Sequence, residues 1–322
     1  MLGVRLALTG IRSMNVMLDT TEMRVPRRSS TTDDPLDILE FAIASFRHGG
    51  AALATLVEIR GGAARALGAH VAVAANGSFC GYVSGGCVEA AVAAEAIAAM
   101  AEGRDRAVVY GNGSPFFDIV LPCGGGITVA IHVLRDVKAL EGVISEVRHR
   151  RPAALGYCQN SETVECMEPS SRARWMCGRF ETVYRPRTRI VVSGHGAEAL
   201  VVARIAEAAG HDVTVVGNGE ACDGRYPAID PFTAIALLHH DLDAEERILR
   251  RALRSKAFYI GALGSTHTHR KRVECLRRAG FSKAEIDRIK APIGLFGPTR
   301  DTTSLALSVL ADVAASRLAT YA

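Results

Sequence analysis

The sequence has no uninterrupted apolar run approaching 18 residues; Arg, His or Glu breaks every long hydrophobic stretch. No transmembrane helix is therefore expected, and no membrane partner. Charge of one sign is also scarce. Lys and Arg total 38 against 34 Asp and Glu, a net +4, and no basic stripe alternates with aromatics, so nucleic acid is not an expected partner. The eight cysteines are scattered and no pair has zinc-ribbon spacing. That excludes a structural zinc site and reads as reduced thiols in a cytoplasm. What remains is a chain of 322 residues, 48% hydrophobic and 22% charged. It is long enough for two domains that each bury a core.

Residues 1–33 carry no readable chemistry. Pro26 to Asp34 is polar and turn-rich, so the segment reads as a mobile leader. Asp34-Pro35 opens a helix as N-cap and first helical residue, and Gly49-Gly50 closes it. Ala51 to Ile59 is a buried strand, followed by a small-residue loop with Arg60 and Arg65. His70 to Ala74 and Phe79 to Val83 are strands joined at Asn76-Gly77, a strong hairpin signal. Ala107 to Tyr110 and Ile127 to Leu134 are further strands; His132 lies within the second and reads as a core or surface histidine. Val137 to Arg151 is a helix. Residues 152–188 hold short strand-like pieces and read as a linker after a first domain over 34–151.

Two Gly-Cys motifs carry the chemistry of this first half. Ser84-Gly85-Gly86-Cys87-Val88-Glu89 runs from a strand into an alanine-rich helix. The glycines let backbone approach a ligand closely. A cysteine at the helix start meets free N–H groups and the macrodipole, which favour an anion and a thiolate. The bland alternative is a tight turn with a small buried cysteine. Cys123-Gly124-Gly125 repeats the theme at the mouth of the next strand.

From residue 189 strands and helices alternate, the signature of a doubly wound parallel sheet, so the fold class is α/β with a Rossmann-like second domain over 189–322. Gly194-x-Gly196-x-x-Ala199 stands in the strand–turn–helix context of a dinucleotide fingerprint. The acidic residue expected at the end of the second strand is replaced by Gly217-Asn218-Gly219, which weakens NAD binding and leaves the fold expectation intact. The third strand ends in His239-His240-Asp241, where open parallel sheets bind ligands. Gly264 and Ser265 open a basic helix that reads either as a solvated face or as a phosphate seat. Ser282-x-x-Glu285 is a capping box, and a last helix runs from Thr302 to Ala319.

Several of these stretches together resemble the xanthine dehydrogenase accessory factor family (XdhC/CoxI type), across nearly everything after the leader. They are Leu53-Ala54-Thr55-Leu56-Val57 with Gly68-Ala69, Val83 to Glu89, Cys123-Gly124-Gly125, Gly194-x-Gly196, His240-Asp241, Tyr259 to Ser265, Pro292-Ile293-Gly294-Leu295 and Leu307 to Asp312. The resemblance implies a chaperone more than a catalyst. It would bind the molybdenum cofactor (molybdopterin), protect it during sulfuration by a cysteine desulfurase and deliver it to a molybdenum hydroxylase apo-enzyme. By that carry-over Cys87 and Cys123 are metal-side residues and Glu89 a supporting carboxylate. Gly194, Gly196, His240, Gly264 and Ser265 frame the second-domain pocket. The two halves would form one interdomain cleft, and a homodimer is expected. The chain departs from the family pattern at Gly217-Asn218-Gly219, at Gly294-Leu295-Phe296-Gly297 and at Thr302 to Ala306. The rival reading is an NAD(P)-dependent oxidoreductase using the Gly194-x-Gly196 turn; a third is a redox protein pairing Cys87 with Cys123.

Overall fold

The structure is a computed structural model that describes residues 25–114, 124–217, 220–221 and 228–321. Its first part contains β1 (Arg27–Arg28), α1 (Pro35–Arg47), β2 (Ala51–Arg60), β3 (His70–Ala74), β4 (Ser78–Gly81), α2 (Glu89–Glu102), β5 (Arg106–Gly111), β6 (Gly126–Val133) and α3 (Lys138–Arg148). The strands form one sheet in the order β1-β4-β3-β2-β6-β5. All pairs are antiparallel except β1 with β4. Side chains of β2 alternate between two cores. Ala52, Ala54 and Leu56 meet α2 on one face; Ala51 and Leu53 meet α1 and α3 on the other. Covered on both faces, the strand reads as a continuous apolar run. The Asp34 carboxylate accepts from Leu36 N–H at 2.9 Å, as the N-cap reading requires. The alanines of α2 are spent inward: Ala93, Ala96 and Ala99 are buried against the sheet.

Two expectations need correction. The end of the leader, expected to be mobile, is structured. Arg27 and Arg28 pair with Ser78 and Phe79, and the Arg28 guanidinium donates to Gly81 O at 3.1 Å. Residues 152–188 contain the expected short strands, but as a sheet and not as a linker. They hold β7 (Ala153–Cys158), β8 (Thr163–Met167), β9 (Arg174–Met176) and β10 (Arg179–Tyr184), a four-stranded antiparallel sheet in the order β8-β7-β10-β9. It is pinned to the first sheet. Trp175 Nε1 donates to Val57 O at 3.1 Å, and its ring meets Phe180 edge-on. The Tyr184 hydroxyl bonds buried His70, whose other ring nitrogen lies 3.0 Å from Thr55 Oγ1.

The remainder comprises β11 (Arg189–Ser193), α4 (Ala197–Ala208), β12 (Asp212–Gly217), β13 (Glu220–Ala221), β14 (Thr233–Leu237), α5 (Leu242–Leu253), β15 (Tyr259–Ala262), α6 (Thr266–Arg278), α7 (Lys283–Ile286), β16 (Ile289–Lys290) and α8 (Thr302–Tyr321). The sheet order is β13-β12-β11-β14-β15-β16, parallel except for β13. Cores line both faces, so this is the expected doubly wound, Rossmann-like architecture. The order reverses between β11 and β14. The carboxyl ends of those two strands therefore flank the crevice where ligands of such sheets bind. Both halves of the Ser282/Glu285 capping box are made, and Asp301 caps α8 through Ser304 N–H at 2.8 Å. Among the described residues no helix is long and apolar enough to cross a membrane.

Candidate functional site

The Ser84–Glu89 motif folds around its own acid. Glu89 is buried at the start of α2. Its Oε1 accepts from the N–H groups of Val83, Ser84 and Gly85 at 3.0, 2.8 and 3.1 Å, and the Ser84 hydroxyl donates to it as well. The Ser84 oxygen in turn accepts from Cys87 and Val88 N–H at 3.1 and 3.2 Å. Burial raises the Glu89 pKa, but the surrounding donors outweigh it and leave the carboxyl below its ordinary value. The motif thus supplies from within the anion that the sequence reading assigned to a ligand. Gly85 and Gly86 both take positive φ, 90° and 122°, which turns the chain and leaves the Cys87 thiol exposed.

Gly124 and Gly125 reach the same rim through the small-residue loop after β2. A Cβ on Gly125 would lie 2.2 Å from Gly62 O, so only glycine permits this contact, and a Cβ on Gly85 would lie 3.3 Å from Ala64. Residues 61–64 thereby bridge the two Gly-rich motifs. Cys123 lies outside the described residues. Sequence reasoning noted Arg65 in its loop but missed its grouping with Arg28: both sit over the Tyr82 ring, at 5.2 and 4.3 Å. Arg28 was hidden in a segment with no hydrophobic pattern. Among the described residues no group of three or more His, Cys, Asp or Glu is placed to hold a metal ion.

The second group gathers at the carboxyl end of the parallel sheet. A cavity of about 800 Å³ is lined by Glu198, His240, Gly264 and Ser265 together with the turn Pro292 to Asp301. His240 follows β14, and Gly264 and Ser265 join β15 to α6. Ser265 caps that helix, accepting from Thr268 N–H at 3.2 Å. The first turn of α6 has no acidic residue, so its positive end is open to the cavity, whose wall also carries the Glu198 and Asp301 carboxylates. A buried ion pair holds this loop. Arg272 donates to both Glu245 oxygens and to Leu263 O at 2.9 Å, just before Gly264. Its position in the basic run hid this role, because most residues of that run are solvated.

The Gly194–Gly196 turn is differently furnished. A Cβ on Gly196 would meet Glu198 Oε2 at 2.7 Å, so a carboxylate lies over the turn where a dinucleotide would place its pyrophosphate. Glu198 Oε1 is 3.7 Å from His240 Nε2. Anionic repulsion here adds to the missing ribose acid beyond Gly217. Glu198 was readable in the sequence as an acid in the first turn of α4. Neither of the two cavities of roughly 800 Å³ is lined by both the Cys87 group and the Ser265 group. The single cleft expected between them is not formed by either.

Comparison with known proteins agrees with this architecture. The model of the XdhC and CoxI family matches residues 47–111, and that of the XdhC Rossmann domain matches residues 190–313. The chain is 46% identical over 294 residues to the Escherichia coli K12 molybdenum cofactor insertion chaperone PaoD, covering 91% of this chain and 92% of PaoD. It also shares its fold with a crystal structure of a Bacillus halodurans protein described as a xanthine dehydrogenase. That match has a TM-score of 0.68 at 20% identity, over 88% of this chain and 96% of the other.

Proposed function

Since the chain belongs to the XdhC and CoxI family, we propose that it is an accessory protein that binds the molybdenum cofactor as cargo and delivers it to a molybdenum hydroxylase. The observation that carries the reading is the 46% identity to a molybdenum cofactor insertion chaperone along nine tenths of both chains. Two features of the geometry support it. The cavity at Gly264 and Ser265 offers a helix N-terminus with no acid in its first turn, suited to the cofactor's phosphate. The exposed Cys87 thiol on a rigid, internally capped loop offers soft sulfur suited to molybdenum. The rival NAD(P) reading is disfavoured by the Glu198 carboxylate over Gly196.

In this reading Ser265 and His240 orient the phosphate end of the cargo. The Glu89 network keeps the Cys87 loop from collapsing when the cargo leaves. Sulfuration by a cysteine desulfurase, a homodimeric state and a cytoplasmic location belong to the same proposal. Equilibrium binding of the molybdenum cofactor to wild type, Cys87→Ala and Ser265→Ala tests it. Wild type should bind and both variants should bind more weakly, whereas no binding by wild type refutes it. Fluorescence titration with NADH and NADPH should show no saturation at micromolar concentrations; saturation there favours the oxidoreductase. Pull-down with an apo-hydroxylase and light scattering test the partner and the dimer.

A further inference from the structure

A second cavity, of about 780 Å³, opens on a different part of the molecule, where the strand β10 and the residues before α1 meet the end of α8. Arginines crowd this junction, and most are matched with acids. Arg150 donates to Asp230 at 2.7 Å, Arg187 to Asp34 at 2.8 Å, and Arg189 to Asp212 at 2.8 Å. Arg185 and Arg317, both in the cavity wall, are different. Among the described residues neither has a carboxylate within ion-pair distance.

Arg185 donates to Ser171 O, and Arg317 donates to Pro186 O at 2.9 Å. Arg317 Nη1 is buried with no hydrogen-bond partner at all. Both guanidiniums lie over the same ring, that of Tyr321, each with Cζ 5.6 Å from its centroid. Burial lowers the pKa of both, and the neighbouring positive charges of Arg185 and Arg150 lower that of Arg317 further. Two cations held together without a counter-ion cost free energy unless an anion visits them. The rest of the wall sets the shape of that visitor. Leu36, Val183 and Leu318 are apolar, the Thr32 and Thr188 side chains add hydroxyls, and the two acids of the wall, Asp33 and Asp34, are engaged by Arg65 and Arg187. His211 is pushed below the ordinary histidine value by burial, so it adds no lasting positive charge at neutral pH.

We infer that this junction is a binding site for a phosphate monoester with an apolar or aromatic body, its phosphate held between Arg185 and Arg317. A phosphate monoester carries close to two negative charges at neutral pH and so matches two unpaired guanidiniums. A monocarboxylate matches one. Guanidinium forks also fit phosphate oxygens two at a time. The cavity far exceeds the volume of free phosphate, and its apolar wall accounts for the remainder. Occupancy would tie the two halves of the chain further, because Arg185 directly follows β10 and Arg317 lies in α8 of the Rossmann-like half. The inference is independent of the cargo reading, since the residues of this cavity are not those at Ser265 or Cys87.

Isothermal titration of the full chain in phosphate-free buffer tests it, with phenyl phosphate, inorganic phosphate and benzoate as probes. Phenyl phosphate should saturate one site per chain and bind more tightly than either of the others. Arg185→Gln and Arg317→Gln should each weaken it at least about tenfold, as the loss of a charged hydrogen bond does. Arg151→Gln, which removes the same charge from an exposed pair with Glu146, should leave binding unchanged. If Arg317→Gln does not fold, Arg185→Gln decides. The inference is overturned by absence of saturable binding, by equal affinity for benzoate or inorganic phosphate, by wild-type affinity in Arg185→Gln, or by an equal loss in Arg151→Gln.

Discussion

Replacing Glu89 with Ala removes one carboxylate and strands every donor that turns toward it. Four groups are affected: the N–H groups of Val83, Ser84 and Gly85, and the Ser84 hydroxyl. Each hydrogen bond to a charged acceptor contributes about 1.5–3 kcal/mol in a protein. Simple addition overstates the loss, because water can reach exposed Gly85 and half-buried Ser84. Only Val83 N–H is enclosed, and an enclosed donor left alone costs about 1–3 kcal/mol. Glu89 is also the acid in the first turn of α2, whose N-cap Val88 makes no side-chain bond. Losing that dipole partner adds about 0.3–1 kcal/mol. The expected total is about 2–4 kcal/mol, equivalent to roughly 5–15 °C in thermal midpoint for a part of this size. The chain has one tryptophan, and Trp175 is fastened to Val57 in the first sheet. Urea titration followed by its fluorescence therefore reads the unfolding of the relevant half. Glu89→Gln, which keeps one acceptor oxygen but turns an amide N–H₂ toward the donors, should fall between wild type and Glu89→Ala. Wild-type urea midpoints for both variants would show that the carboxylate does not hold the loop.

Two further outcomes follow from buried ionisable groups. His70 is lowered by burial to about 4 from 6.5; the unfolded chain takes up its proton first as pH falls, so the stabilisation present above pH 6.5 is lost on acidification towards 4. The loss amounts to roughly 3 kcal/mol, and His70→Gln should flatten that limb of the urea-midpoint profile; parallel limbs in the two proteins would refute the assignment. Arg272→Ala leaves Glu245 buried without its partner, so it should destabilise by about 3–5 kcal/mol in thermal unfolding. It should also weaken cofactor binding beyond Ser265→Ala, through movement of the Leu263–Ser265 loop; an unchanged thermal midpoint would contradict this.

The sequence carried the elements that rest on local chemistry. Asp34 and Ser282 announce helix starts because capping needs only short-range hydrogen bonds. Strands such as β11 and β14 show as buried apolar runs, and Asn76-Gly77 specifies its hairpin directly. In the four-stranded sheet β7, β8 and β10 were legible as strand-like pieces; β9 was not, because it is exposed and is held by a neighbour distant in sequence, Val57. The Arg27–Arg28 strand was hidden for the same reason. The glycines of Ser84 to Cys87 announced the turn that precedes α2. What spacing cannot express is that Glu89 folds back four to six residues to fill it. Glu198 over Gly196 is a similar case: the fingerprint glycines are present, yet a neighbouring side chain occupies the space they clear.

Helix α8 spans 20 residues, about 30 Å at helical rise. Its first turns, at Thr302 and Leu305, wall the cavity of Ser265. Its last turns, at Arg317 and Tyr321, wall the cavity of Arg185. Midway, Asp312 is clamped by Tyr259 and Lys290 beneath the parallel sheet. The helix is thus one continuous strut whose two ends wall two different cavities. The two cavities therefore share one structural element, packed into the core through Leu305, Ala306, Val309 and Val313, even though they have no residue in common.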